Sequence, residues 1–452
     1  MGGLAEARVS RLKNEIIPKI LKDGKFRKTN ANTKIENIVI SQAEAGTDHW
    51  CSATMFVEVH LKNKGEPKLI EKLVAKYPPI SEKFRKFLLS DVMYKNEGVI
   101  YQYVIPKYLE FLQKQSIKLG DTKVAYLLND MFPVCYYAEF DPEKPEHAVV
   151  ILNDVRVDGY QLAHHRVHLD VNHVQLCLIR LARYHGVGYA YKLTNEKEYK
   201  EIMSKLTHAR FSAEEEEKKC QRFKLYSQRP IRRLIKDKVD DVKLEDLIRL
   251  DQIFEDTHGV MQYLTRKCDS AVLCHGDFCV NNLLFQYDKS GDPENVIFID
   301  FQTPLYSSPA IDLSFFFLIS TDYHFRNQHF NELFHLYHST VLDTMSEVLG
   351  RPIDEPGFTF HDFRKDYTDH AAYGYVIAAF FLPVMMNIHK ESFSLEEEMK
   401  KDEGMSVEER RKEVESAGGE VVTQILVSLF TEMYDKKCFD DLLNNFSIDT
   451  HL

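Results

Sequence analysis

Val272-Leu273-Cys274-His275-Gly276-Asp277-Phe278-Cys279-Val280-Asn281-Asn282-Leu283-Leu284-Phe285 is the stretch whose reading decides the fold. Apolar runs at its two ends flank a polar centre, the pattern of two short strands joined by a turn. A third apolar run, Val296-Ile297-Phe298-Ile299, ends on Asp300-Phe301-Gln302. Strand, turn, strand, turn and strand would bring Asp277, Asn282 and Asp300 to one edge. Asp and Asn also serve as ordinary turn residues, which is the plain alternative. Together they fit a chemistry. Phosphoryl transfer asks a protein to orient and deprotonate an acceptor hydroxyl, and to hold metal ions against the triphosphate charge. A carboxylate does the first, and Asn with Asp supply hard oxygen ligands for the second.

Working outward, the segments before this stretch divide the chain into unlike halves. Residues 5–21 carry apolar side chains at helical spacing, and 35–40, 53–61 and 69–76 have strand character. In the second of these runs Val57, Val59 and Leu61 alternate with Glu58 and His60, as in a half-buried strand. Residues 81–112 read as a helix with a break or kink at Pro106, since proline interrupts helical hydrogen bonding. Residues 134–139 and 149–152 read as further strands. Past Asp154 the pattern turns to long amphipathic helices, among them 171–185 and 244–266. A strand-rich half before a helix-rich half predicts an α+β fold of two lobes with a cleft between them.

The combination H-G-D-x-x-x-x-N followed by D-F-Q resembles the ecdysteroid kinase-like family, relatives of choline kinases and aminoglycoside phosphotransferases. The likeness extends from about residue 38 to about 383. Ser307-Ser308-Pro309-Ala310-Ile311-Asp312-Leu313 is similar to the family's stretch after the metal aspartate, and Leu181-Ala182-Arg183-Tyr184-His185 to its "L-A-R-x-H" helix. The resemblance implies a two-lobed protein kinase-like fold. It makes Asp277 the catalytic base, and Asn282 and Asp300 the magnesium ligands. It also gives roles to Leu73-Val74-Ala75-Lys76, whose lysine would meet the ATP phosphates, and to Glu97, which would hold Lys76 in an ion pair. The phosphate-covering turn falls at 43–53, where Gly46 is the only glycine. Backbone amides of Trp50, Cys51 and Ser52, with the Ser52 hydroxyl, would cradle phosphate there. Asn153 and Asp154 mark the hinge, with asparagine where the family more often has glutamate. The implied organisation is a nucleotide-binding N-lobe over 1–150, a hinge over 151–157, and a helical C-lobe over 158–452 carrying the catalytic and acceptor site.

Composition narrows the classes. The 452 residues are 44% hydrophobic and 28% charged, enough for a large core. A net charge of −11 argues against nucleic acid and against a polybasic hold on anionic lipid. Eight scattered cysteines form no C-x-x-C pair, and the first ten residues lack the apolar core of a secretion signal, so a cytoplasmic, reduced protein is expected. Glu6 stands where a myristoylation signal needs Ser or Thr. The apolar stretch 371–386 contains Pro383 and reads as a core helix, not a membrane span. His164, His165, His168 and His173 lack a zinc-site frame and read as polar helix surface. The charge-dense run 396–415 reads as solvated surface.

The expected function is an ATP- and magnesium-dependent kinase phosphorylating a hydroxyl of a small lipophilic alcohol, with an ecdysteroid-like steroid among the candidates. A choline or ethanolamine kinase is the enzyme alternative. A quaternary ammonium favours an aromatic cage, with tryptophan the best ring, and Trp50 lies in the phosphate loop. Phe315, Phe316, Phe317, Tyr323, Phe325, Tyr373, Tyr375, Phe380 and Phe381 instead suit a flat, uncharged ligand, or simply fill the core. A pseudokinase is the non-enzyme alternative. It should have lost one of Lys76, Asp277, Asn282 or Asp300, and all four are present. A protein kinase is disfavoured because Asp300 and Asp312 leave no room for a long activation segment.

Overall fold

The computed structural model describes residues 2–26, 29–42, 53–63, 67–164, 168–211, 217–385, 400 and 404–447. Five strands near the N-terminus, β1 (Lys34–Gln42), β2 (Ala53–Lys62), β3 (Leu69–Tyr77), β4 (Cys135–Glu139) and β5 (Val149–Asn153), form an antiparallel sheet in the order β1-β2-β3-β5-β4. Side chains alternate across its pleat. Met55, Val57, Val59 and Leu61 of β2 and Leu73, Ala75 and Tyr77 of β3 pack under Leu12, Ile16, Ile17 and Ile20 of the N-terminal helical segment. Thr54, Phe56, Val74 and Lys76 therefore face the other way, into a cavity. Val149-Val150-Ile151-Leu152 is a continuous apolar run because β5 is buried on both sides: Val149 and Ile151 join the first core, Val150 and Leu152 the larger one.

The region expected to be one helix bent at Pro106 is built otherwise. Helix Glu82–Leu88 ends at Leu89, whose φ of 57° is left-handed, and Ser90–Val99 follows directly. Pro106 then sits in the first turn of Ile105–Leu119, after a widened π-helical segment, Ile100–Val104. Proline has no N–H to lose at a helix start, so the chain absorbs it there and the break falls elsewhere. The predicted helix over 244–266 is likewise divided. Asp256 accepts a hydrogen bond from the Gly259 amide at 2.8 Å and caps a new helix, Thr257–Leu264.

The second half is mainly helical. Val171–Thr194 packs along Tyr323–Leu349, and Ala310–Ser320 is buried at every residue. Three small strands, β6 (Gln161–Leu162), β8 (Leu283–Tyr287) and β9 (Pro293–Phe298), form one sheet, and β7 (Val272–Cys274) pairs with β10 (Leu305–Ser307). The two halves make a kinase-like two-lobed α+β fold. Residues 372–385 form the expected core helix, and among the described residues no helix is long and apolar enough to cross a membrane. Within the charge-dense run, Val407–Ser416 is a helix closed by a reciprocal Ser406–Glu409 capping box. His173 bonds Asp170 at 2.8 Å and Tyr287 at 3.1 Å at a helix start, while His165 lies outside the described residues.

Candidate active site

The decisive stretch becomes a turn pinned from below. The amides of His275 and Gly276 donate to the two carboxylate oxygens of Asp312, at 2.7 and 2.8 Å. Asp312 is fully buried on the helix Ala310–Ser320, and the two amides satisfy both of its carboxylate oxygens there. His185 Nε2 lies 3.3 Å away, without hydrogen-bond geometry, and its Nδ1 meets the Tyr337 hydroxyl at 2.7 Å. The two flanking stretches quoted above, 307–313 and 181–185, thus converge on the turn. His275 Nε2 donates to the Ile299 carbonyl at 2.9 Å, and its Nδ1 accepts from the Asp277 amide at 3.3 Å, which assigns the tautomer. Burial lowers the His275 pKa, so the ring is the neutral brace this network needs.

Gly276 has a φ of +79°, and a Cβ there would stand 1.7 Å from the Thr303 carbonyl oxygen. Neither the backbone conformation nor the approach tolerates a side chain. Gly276→Ala is therefore expected to destabilise the protein by about 2–4 kcal/mol, the scale of strained backbone combined with overpacking. Denaturant titration checks this; an unshifted midpoint with unchanged slope would show that the turn relaxes.

Asp277, Asn282 and Asp300 line one cavity of about 380 Å³ together with Lys76. Asn282 closes a short 3-10 turn, Val280–Asn282, and Ile299 donates its amide to the Asn282 carbonyl at 3.0 Å, which sets Asp300 beside it. Asp300 has a φ of +67°, a conformation aspartate tolerates better than most residues, and it turns the chain out of β9. Asn282 Nδ2 donates to the Asp277 carbonyl at 2.8 Å and carboxylate at 3.0 Å, leaving Oδ1 with no hydrogen bond among the described residues. That free oxygen and the one-third-exposed Asp300 carboxylate are the donor set a magnesium ion takes, so the residues fit the metal.

Lys76 meets Glu97 at 2.7 Å and Asp300 at 3.1 Å. Burial opposes its charge, yet Asp300 and Glu97 hold the ammonium above the ordinary lysine value. Burial pushes the fully buried Glu97 carboxyl up, while Lys76 pulls it back. Gln302 Nε2 also donates to Glu97, at 3.2 Å. Lys76→Met should lower ATP affinity or turnover, and Glu97→Gln should do so more mildly through the same pair. In a double-variant cycle the combined loss should fall short of the sum. Full additivity would show that the two side chains act separately.

At the hinge, Asn153 exchanges two bonds with Val134: its amide donates to the carbonyl at 2.9 Å, and its Oδ1 accepts from the amide at 2.7 Å. Asp154 is held by Arg156 at 2.6 and 2.8 Å. Both residues line the cavity with their side chains engaged in structure. Ser52, with Gly46, Trp50 and Cys51, lies outside the described residues. Of the aromatic residues, Phe315 and Phe381 line the cavity. Phe316, Phe317 and Tyr375 are core, and Tyr323 is exposed.

Sequence reasoning missed two participants. Arg210 donates to Asp277 Oδ1 at 2.8 Å and to the Gly276 carbonyl at 3.3 Å. It comes from an irregular segment with no motif, one basic residue among 58. Asp312, quoted above within 307–313 but given no role, did carry a signal: the single charge inside the otherwise uncharged, mostly apolar Ala310–Ser320 run needs a buried partner.

Two lobes meeting at a cavity that gathers a lysine, an aspartate-bearing turn and an Asn–Asp pair define a kinase-like protein. A family model, the ecdysteroid kinase-like family, matches residues 46–350, and the chain belongs to that family. Membership ranks it with the kinase-like phosphotransferases. No curated protein matches the chain.

Proposed function

We propose that the protein is an ATP- and magnesium-dependent kinase that transfers the γ-phosphoryl group to a hydroxyl of a small lipophilic alcohol, with ecdysteroid-like steroids the leading acceptors. The observation carrying this reading is that Lys76, Asp277, Asn282 and Asp300 line a single cavity. Asp277 takes the proton as the acceptor oxygen bonds to the γ-phosphorus and the bond to the ADP oxygen breaks. Lys76, steadied by Glu97, orients the phosphates. Magnesium, held by Asn282 and Asp300, would neutralise their charge. The N-lobe over 1–150 and the hinge over 151–157 take the nucleotide, with Val74, Leu152 and Ile299 as apolar walls and hinge backbone around Asn153 and Asp154 reading the base. The phosphate loop would include Ser52. The C-lobe over 158–452 supplies the acceptor end, where Phe315, Ile319 and Phe381 suit an apolar body.

Cys135, Cys177, Cys268, Cys274, Cys279 and Cys438 are all free thiols, which favours a reducing, cytoplasmic setting. A panel of alcohols with ATP consumption as readout tests the reading. Turnover dependent on both magnesium and a lipophilic alcohol supports it, and efficient choline turnover with no steroid turnover rejects the acceptor class.

A further inference from the structure

The charges around the cavity pair off. Its lining includes three carboxylates and three basic side chains, among the described residues. Asp154 meets Arg156 at 2.6 Å, Asp300 meets Lys76 at 3.1 Å, and Asp277 meets Arg210 at 2.8 Å. The lining rings are Phe56, Phe315 and Phe381, and the Arg156 guanidinium already lies 3.9 Å over Phe56. Two of the pairs have local work, one closing the hinge turn and one at the phosphate end. The third stands at the atom where the acceptor hydroxyl must arrive.

Arg210 is held there firmly. Asn96, fully buried, bonds both sides of the Thr207 peptide, donating to its carbonyl at 2.7 Å and accepting from its amide at 2.9 Å, which anchors the segment. The guanidinium is shared among Asp277, the Gly276 carbonyl and the Tyr373 hydroxyl. Burial opposes the charge, but Asp277 and Tyr373 more than offset it and keep Arg210 protonated.

We propose that Arg210 determines acceptor charge: by holding Asp277 in an ion pair it turns away alcohols with a cation beside the hydroxyl and admits neutral ones. The inference rests on Asp277 being the residue that receives the hydroxyl. An ammonium two carbons from the attacking oxygen would stand close to the guanidinium, with the neighbouring carboxylate already neutralised. At the effective dielectric of a protein site such like-charge proximity is worth about tenfold or more in selectivity.

The test compares choline with its uncharged carbon isostere, in which a tert-butyl group replaces the trimethylammonium, on the wild-type protein, Arg210→Gln and Arg210→Lys. Size, shape and hydroxyl are matched, so the ratio of kcat/KM values reads charge alone. The wild-type protein should prefer the neutral alcohol by about tenfold or more, Arg210→Lys should keep the preference, and Arg210→Gln should abolish it. A purely structural role would lower both activities and leave the ratio unchanged, which overturns the proposal. Binding of the same pair by ligand-observed NMR without ATP gives a second ratio. If no alcohol is phosphorylated, the kinase reading falls, and this binding ratio still decides the role of Arg210: a preference lost in Arg210→Gln supports it, and equal binding overturns it.

Discussion

Asp277→Asn is expected to lower kcat by about 10²–10⁴-fold, the usual worth of a general base. Asparagine keeps the shape, and its one carbonyl oxygen can still accept from Arg210, which bonds the carboxylate at 2.8 Å. The side-chain bond from Asn282 at 3.0 Å is lost, but its bond to the Asp277 carbonyl and the Asp312 bonds to the turn remain, so the turn should survive. What it loses is the ability to take a proton. ATP affinity should change little, because nucleotide contacts are assigned to the hinge and to Lys76. Steady-state kinetics with a saturating alcohol, together with an ATP titration, separate the two effects. A variant with near-normal kcat would remove Asp277 from the chemistry.

Asp300→Ala should damage both turnover and magnesium-dependent ATP binding. The loss should exceed the roughly 10–100-fold that removal of an outer-shell metal partner typically costs. Stability should suffer far less, since the side chain is 34% exposed and its ion-pair partner is Lys76. The left-handed backbone at φ +67° adds a complication, because alanine dislikes it by about 1–2 kcal/mol. Asp300→Asn keeps the conformational preference and removes only the charge, so it should retain the melting temperature while still weakening magnesium dependence. Collapse of melting with unchanged magnesium dependence would make Asp300 a turn residue and nothing more.

Much of this architecture is legible in residue order. The alternation in β2 announces which side chains are buried, and its complement, Thr54 and Phe56, forms a cavity wall. The turn at 275–282 is legible because apolar strands bracket polar residues whose types match one chemistry. The break at Leu89 was not legible. A leucine with positive φ carries no propensity signal, whereas Pro106 carries a strong one that the π-helical turn before it absorbs. β10 was missed because Leu305-Tyr306-Ser307 follows Pro304 without an apolar run such as the one that marks β7, and it exists only through pairing with β7. Arg210 was illegible for a different reason. Its meaning comes from Asp277, 67 positions away, and only the fold, with Asn96 clamping Thr207, brings them together.

The central claim is transfer of a phosphoryl group to an alcohol oxygen, and detection of the product tests it most directly. The protein is incubated with γ-labelled ATP, magnesium and a hydroxylated steroid, and the extracted alcohol is examined by mass spectrometry. The account predicts a labelled phosphate monoester formed in equal amount with ADP, absent without magnesium and absent from Asp277→Asn. Tight ATP binding with no ester on any alcohol, choline included, would contradict it and leave a nucleotide-binding protein without transferase activity.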